Sequence, residues 1–183
     1  EIDFEDLKKK INSKTKAILL THFNGYLQNS IGIRNLIKKT KHKIFFLEDC
    51  AHVLAAEHKK NIYSGSYSDA AVFSFGPTKM ITSAGMGGMV ISKHKELINQ
   101  INILKSFGMD KSAYNRKSDK KNWEYNIQSI GANYRMTEIQ AAFGLEQLKK
   151  VNYFKSKKNQ ISRFYQKNLN NKELFFQSSN ITY

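Results

Sequence analysis

Ile44-Phe45-Phe46-Leu47-Glu48-Asp49 is a short apolar run that ends in two acids. Its length and its aromatic, β-branched content suit a buried strand. Before it, residues 29–39 set Ile31, Ile33, Leu36 and Ile37 at helical spacing, and earlier still Lys16-Ala17-Ile18-Leu19-Leu20-Thr21 is a second apolar run. Strand, helix, strand at this spacing predicts a parallel α/β sheet. Further out, Asp3 can cap a short helix through Ile11, with Phe4, Leu7 and Ile11 on one face.

Downstream, residues 57–69 are turn-like, and Ala70-Ala71-Val72-Phe73 is a third strand. Gly85, Gly87 and Gly88 precede a fourth, Met89-Val90-Ile91. The stretch between these two strands holds Pro77 and four glycines and no helical pattern. A parallel crossover usually needs a helix, so an antiparallel pair and a mixed sheet are open here. Residues 94–105 are helical in phase, with Leu97, Ile98, Ile101 and Leu104. Residues 106–130 are polar, including Asp110, Lys111, Ser118, Asp119 and Lys120, and a loop of that length is usually functional. Thr137-Glu138-Ile139-Gln140 is a capping box, followed by one long helical pattern from Ile139 to Leu169 that Asn168, Asn170 and Asn171 end. The expected fold class is α/β, a mostly parallel, mixed sheet flanked by helices.

Composition bounds the function. The 183 residues are 40% hydrophobic and 25% charged, which is globular composition. The lone cysteine, Cys50, excludes an internal disulfide framework and fits a reducing compartment. No run of 18 apolar residues spans a membrane and no basic-then-apolar leader opens the chain. The Asn180-Ile181-Thr182 triplet is then a chance glycosylation match. The formal charge of +15 raises nucleic acid as a partner. Against it, the arginines are only Arg34, Arg116, Arg135 and Arg163, and the lysines recur in pairs along helix faces and turns with no single stripe. A positive field of this size can still steer a small anionic substrate.

Two places could carry chemistry. Asp49 stands at the expected carboxyl end of a strand, where open α/β sheets bind ligands, with His52 three residues on. By position alone, a solvated acid beside an ordinary loop histidine is the plainer reading. The second place is Phe73-Ser74-Phe75-Gly76-Pro77-Thr78-Lys79, a strand that empties into a tight loop bearing a lysine. Lys79 could serve as a nucleophile or be a plain turn lysine, and Ser74 could bind phosphate or end a strand. The two places explain each other if the ligand is pyridoxal phosphate. A Schiff base needs the lysine amine, and a carboxylate keeps the pyridine nitrogen protonated.

Glu48-Asp49-Cys50-Ala51-His52, the segment Phe73 to Lys79, and Gly131-Ala132-Asn133-Tyr134-Arg135-Met136-Thr137-Glu138-Ile139-Gln140-Ala141-Ala142 together resemble the DegT-type nucleotide-sugar aminotransferases, which are fold type I pyridoxal-phosphate enzymes. Lys14-Thr15-Lys16-Ala17-Ile18 and the His22-to-Gly25 turn match in order and spacing. The resemblance runs from about residue 3 to 170. It implies that Lys79 forms the Schiff base and then moves protons, that Asp49 pairs with the pyridine nitrogen, and that His52 lies beside the ring oxygen. It implies Ser74 as a phosphate ligand, and Asn133 as a ligand of the neighbouring subunit's cofactor phosphate, hence a homodimer. No metal is assigned.

The reaction so implied is amino transfer, typically from glutamate, to a nucleotide-linked keto sugar, in the cytoplasm, for surface-polysaccharide or amino-sugar biosynthesis. Relatives that remove a sugar hydroxyl carry histidine at the Schiff-base position, so Lys79 argues against a sugar dehydratase. A third reading is an inactive fragment acting as a basic binding module. Three positions depart from the pattern: Gly76 and Asn24 stand where aromatics are common, and Cys50 where alanine is. The family's leading phosphate loop and stacking aromatic have no counterpart here. The expected organisation is therefore an incomplete large domain, 1–150, and a long helix, 151–183, leading into a mostly missing small domain.

Overall fold

A computed structural model describes residues 2–110 and 123–169 of the chain. They form two compact units: one takes in the chain up to Ile91 and again from Glu138, the other is Ser92–Thr137. The middle of the expected polar loop (111–122) and everything from residue 170, including Asn170, Asn171 and the Asn180 triplet, lie outside the described residues.

The first unit is built on a four-stranded sheet of order β1-β2-β5-β6, from Ala17–Thr21, Phe45–Asp49, Ala70–Ser74 and Gly88–Ser92. β1 runs parallel to β2, and β2 parallel to β5. β6 returns directly: Phe75 N–H, just past the end of β5, donates to Gly87 O, just before β6, at 2.8 Å. End meets start, so this pair is antiparallel and the sheet is mixed and mostly parallel. The glycine before Met89 serves this approach, because a Cβ at Gly88 would stand 2.8 Å from Phe73 O.

Two helices close one face. α1 (Phe4–Lys10) starts on Asp3, whose carboxylate accepts from Glu5 N and Asp6 N. α2 (Ser30–Lys38) starts on Asn29, whose side chain accepts from Gly32 N. Ile33 and Ile37 of α2 meet Ile18, Leu20, Ile44 and Phe46 in the core, and Phe4, Leu7 and Ile11 pack against that cluster. β1 is half covered rather than buried: Ile18 and Leu20 point inward while Leu19 is 60% exposed. An apolar run looks the same whether one face or both are covered, so periodicity could not separate the two cases.

Two further differences from the sequence reading stand out. Residues 57–69, expected as turns, contain a small antiparallel hairpin of β3 (Glu57–Lys59) and β4 (Ile62–Tyr63), turned at Asn61 with φ 62°. The strands are too short to show alternation. The long helical pattern after Thr137 is two helices, α4 (Glu138–Lys149) and α5 (Val151–Asn168), broken at Lys150. No glycine or proline marks that break.

The second unit carries α3 (Lys95–Leu104) and a close-packed return segment. Phe107 N donates to Ala132 O and Ala132 N to Leu104 O, at 3.1 and 3.0 Å. Among the described residues, no helix is long and apolar enough to cross a membrane.

Candidate active site

The site residues of the first unit stand where parallel strands end. Asp49 is in register with Val72, two residues before Ser74. Side chains alternate along a strand, so Asp49, Val72 and Ser74 share one face and Glu48 and Ala71 the other. Asp49 Oδ1 accepts from Ala51 N at 3.0 Å, which turns the chain sharply and leaves Oδ2 free of that bond.

This turn presents His52. Asn24 N–H donates to His52 Nδ1 at 3.1 Å, so the ring proton sits on Nε2. The ring also lies 5.7 Å from that of Phe23. Asn24 adopts φ 53°, ψ 35°, a left-handed conformation that Asn tolerates better than most side chains. This accounts for Asn24 in terms of its own backbone.

After β5 the chain makes a tight turn in which Lys79 N donates to Gly76 O at 3.1 Å, with Pro77 inside it. Gly76 N–H points at Ser74 Oγ, 3.4 Å away. A Cβ at Gly76 would stand 3.6 Å from Ser74 Oγ and 4.0 Å from Lys79 Cγ. The missing side chain thus leaves a small cradle bounded by a hydroxyl and the lysine stem.

Lys79 and His52 face one cavity of about 370 Å³, with Asn24, Gly25 and Ala51 from one side and Thr78 and Met80 from the other. Lys158, Asn159 and Ser162 of α5 form its remaining wall. Asp49 and Ser74 sit on the strands that feed these loops, outside the lining. Asn133 belongs to the second unit, where Arg135 Nε donates to its Oδ1 at 3.0 Å and the Arg135 guanidinium lies over the Phe107 ring. That leaves the Asn133 amide N–H groups free of this bond.

Two features went unread in the sequence. The α5 wall was hidden by the abundance of lysine; the available signal was that residues 151–168 contain no acid at all. The other is a sealed polar cluster on the far face of β2. His22 Nε2 and Glu48 Oε2 are 2.7 Å apart, and Ser30 Oγ donates to the same oxygen at 2.7 Å. Burial alone would raise the Glu48 carboxyl, but hydrogen bonds from His22 and Ser30 outweigh it and hold the group below its ordinary value. Cys50 lies beside them, its thiol pushed upward first by burial and then by the Glu48 charge.

His22, Glu48 and Cys50 offer metal-ligand atoms within 4.8 Å of one another, and Glu48 Oε1 makes no hydrogen bond. The tautomer argues against a metal there. Gln28 N–H donates to His22 Nδ1, so the proton is on Nε2 and is spent on Glu48, whereas a metal at Nε2 would need it on Nδ1. This cluster ties the turn after β1 to the end of β2.

The sequence model of the DegT/DnrJ/EryC1/StrS aminotransferase family matches residues 1–181. The chain is 36% identical over 165 residues to the spore coat polysaccharide biosynthesis protein SpsC of Bacillus subtilis, covering 90% of this chain and 41% of that protein. It is 36% identical over 170 residues to GDP-perosamine synthase of Escherichia coli O157:H7, covering 93% and 43%. The structure of Helicobacter pylori PseC, an aminotransferase involved in the biosynthesis of pseudoaminic acid, superposes with a TM-score of 0.81 at 34% identity, over 95% of this chain and 44% of that one. The chain therefore spans less than half the length of these relatives. Over that span it belongs to the DegT/DnrJ/EryC1/StrS aminotransferase family.

Proposed function

We propose that the protein takes part in pyridoxal-phosphate-dependent transfer of an amino group from an amino acid, glutamate in the first instance, to a nucleotide-linked keto sugar. The observation that carries this reading is the convergence of Lys79 and His52 on one cavity, beside strand ends that bear Asp49 and Ser74. The names of the related proteins, a perosamine synthase and a spore coat polysaccharide protein, supply the substrate class and the setting of surface-polysaccharide biosynthesis.

The residues fit the cofactor group by group. Pyridoxal phosphate, when bound, supplies an electron sink that allows bonds at the amino-bearing carbon to break and re-form. Lys79 would hold the cofactor through its amine and would carry protons at Nζ. Asp49 Oδ2, left over from the bond to Ala51, would accept from the cofactor's ring N–H. His52 has its proton on Nε2 and donates it toward the ring oxygen. Ser74 Oγ, at the cradle that the missing Gly76 side chain leaves, would donate to a phosphate oxygen.

On the same reading the working unit is a cytoplasmic homodimer in which Asn133 reaches the neighbouring subunit's cofactor phosphate. Residues 1–150 then belong to the large domain, and 151–183 lead into the small one. Lysine at 79 disfavours the dehydratase reading.

The test is cofactor titration. Wild-type protein should turn yellow with pyridoxal phosphate and lose the colour on borohydride treatment, and Lys79→Ala should do neither. Equal colour in both proteins would overturn the proposal.

A further inference from the structure

Helix α5 carries five cations, Lys155, Lys157, Lys158, Arg163 and Lys167, and no acid. Three exposed lysines sit beside acids on their own helices: Lys8 pairs with Glu5, Lys10 with Asp6 and Lys149 with Glu146. Lys158 has no such partner among the described residues, yet it lines the cavity that also holds Lys79. No carboxylate is among the residues that line it. Two ammonium groups from different elements thus face one space with nothing negative between them, an arrangement suited to an anionic guest.

The wall is anchored. Lys155, one turn before Lys158, donates to Ala55 O at 3.2 Å and meets Glu57 Oε1 at 3.4 Å, with only 14% of its side chain exposed. This ties α5 to the chain just after His52. Ser162 follows Lys158 by four residues, so its hydroxyl stands on the same helix face.

We infer that Lys158 and Ser162 form a second anion subsite, which binds an oxyanion of the substrate and not the cofactor's phosphate. The inference rests on the function proposed above: there, Lys79 is engaged by the cofactor, and Ser74 takes the cofactor's phosphate. Lys158 is then the cation left on the cavity wall. The oxyanion can come from the diphosphate of the nucleotide-linked sugar or from a carboxylate of the amino donor.

Calorimetric titration with two unreactive probes, UDP and glutarate, tests the inference on pyridoxal-phosphate-treated protein. Lys158→Met should weaken one probe about tenfold and Ser162→Ala less, while Lys158→Arg restores most of the loss, as expected of a charge-assisted contact. Selective loss of UDP binding assigns the diphosphate, and selective loss of glutarate binding assigns the donor carboxylate. Unchanged affinity for both probes in Lys158→Met, or no binding of either by wild type, overturns the subsite. The yellow cofactor absorbance should be the same in Lys158→Met as in wild type. If wild type shows no such absorbance, the underlying function fails instead, and the UDP titration still reads Lys158 on its own.

Discussion

His22 Nε2 donates to Glu48 Oε2 across 2.7 Å, and neither side chain is open to solvent. Glu48 and Asp49 are adjacent in sequence and opposite in fate, because the two-residue period of a strand sends one into the sealed face and the other to the face it shares with Val72 and Ser74. The buried acid is held ionised by hydrogen bonds from His22 and Ser30, against the cost of burial. His22→Ala leaves that charge without its main donor and should cost on the order of 3 kcal/mol in chemical denaturation, the loss expected for a bond to a buried charged group together with the cavity left behind.

The same pair sets a pH dependence. The folded Glu48 carboxyl is depressed below its ordinary 4.5, so its contribution is complete above that value and is lost as pH falls through the lower, folded value. Stability measured below about pH 4.5 should fall less steeply in Glu48→Gln than in wild type. Parallel slopes would remove Glu48 from the account.

Cys50 is fully buried and its thiol is pushed up by burial and by the Glu48 charge. The thiolate is the reactive form, so a disulfide reagent at neutral pH should label Cys50 slowly in native protein and rapidly after denaturation. Rapid native labelling would mean that this region opens readily.

In the second unit, Gly108 sits at φ 75° and a Cβ there would overlap Ser129 O, while one at Gly131 would overlap Gly108 N. Gly131→Ala should therefore loosen the segment that positions Asn133, at a cost of ~2 kcal/mol or more. Hydrogen exchange at Phe107 and Ala132, whose amides donate to Ala132 O and Leu104 O, reads this directly.

His52 receives Asn24 N–H on Nδ1 and offers Nε2–H to the cavity. On the function proposed above, His52→Gln keeps an N–H donor and should retain most of the affinity for pyridoxal phosphate, whereas His52→Leu should weaken it roughly tenfold, the worth of one such hydrogen bond to a charged oxygen. Equal losses would make His52 a packing residue.

Much of this was legible in the sequence for identifiable reasons. Asp3 announced the first helix by capping, and the runs at 16–21, 44–47, 70–73 and 89–91 announced strands because apolar density survives even where one face is open. Asp49, His52, Ser74 and Lys79 could be singled out because strand ends and tight turns leave punctuation in the sequence. The Glu57–Tyr63 hairpin left none, being too short to alternate, and neither did the break at Lys150. Glu48 read as half of an acidic pair because burial depends on which face a residue takes, and register fixes that only once β1 and β5 are paired with β2. Lys158 was lost among 26 lysines, since only packing distinguishes one that lines a cavity from one that faces water.

On the function proposed above, one lysine among those 26 is chemically distinct. The direct measurement is to treat the protein with one equivalent of pyridoxal phosphate, reduce with borohydride, digest, and map the added mass. The account predicts that the mass sits on the peptide containing Lys79 and is absent from Lys79→Ala. Label spread over many lysines, or unchanged in that variant, would contradict it.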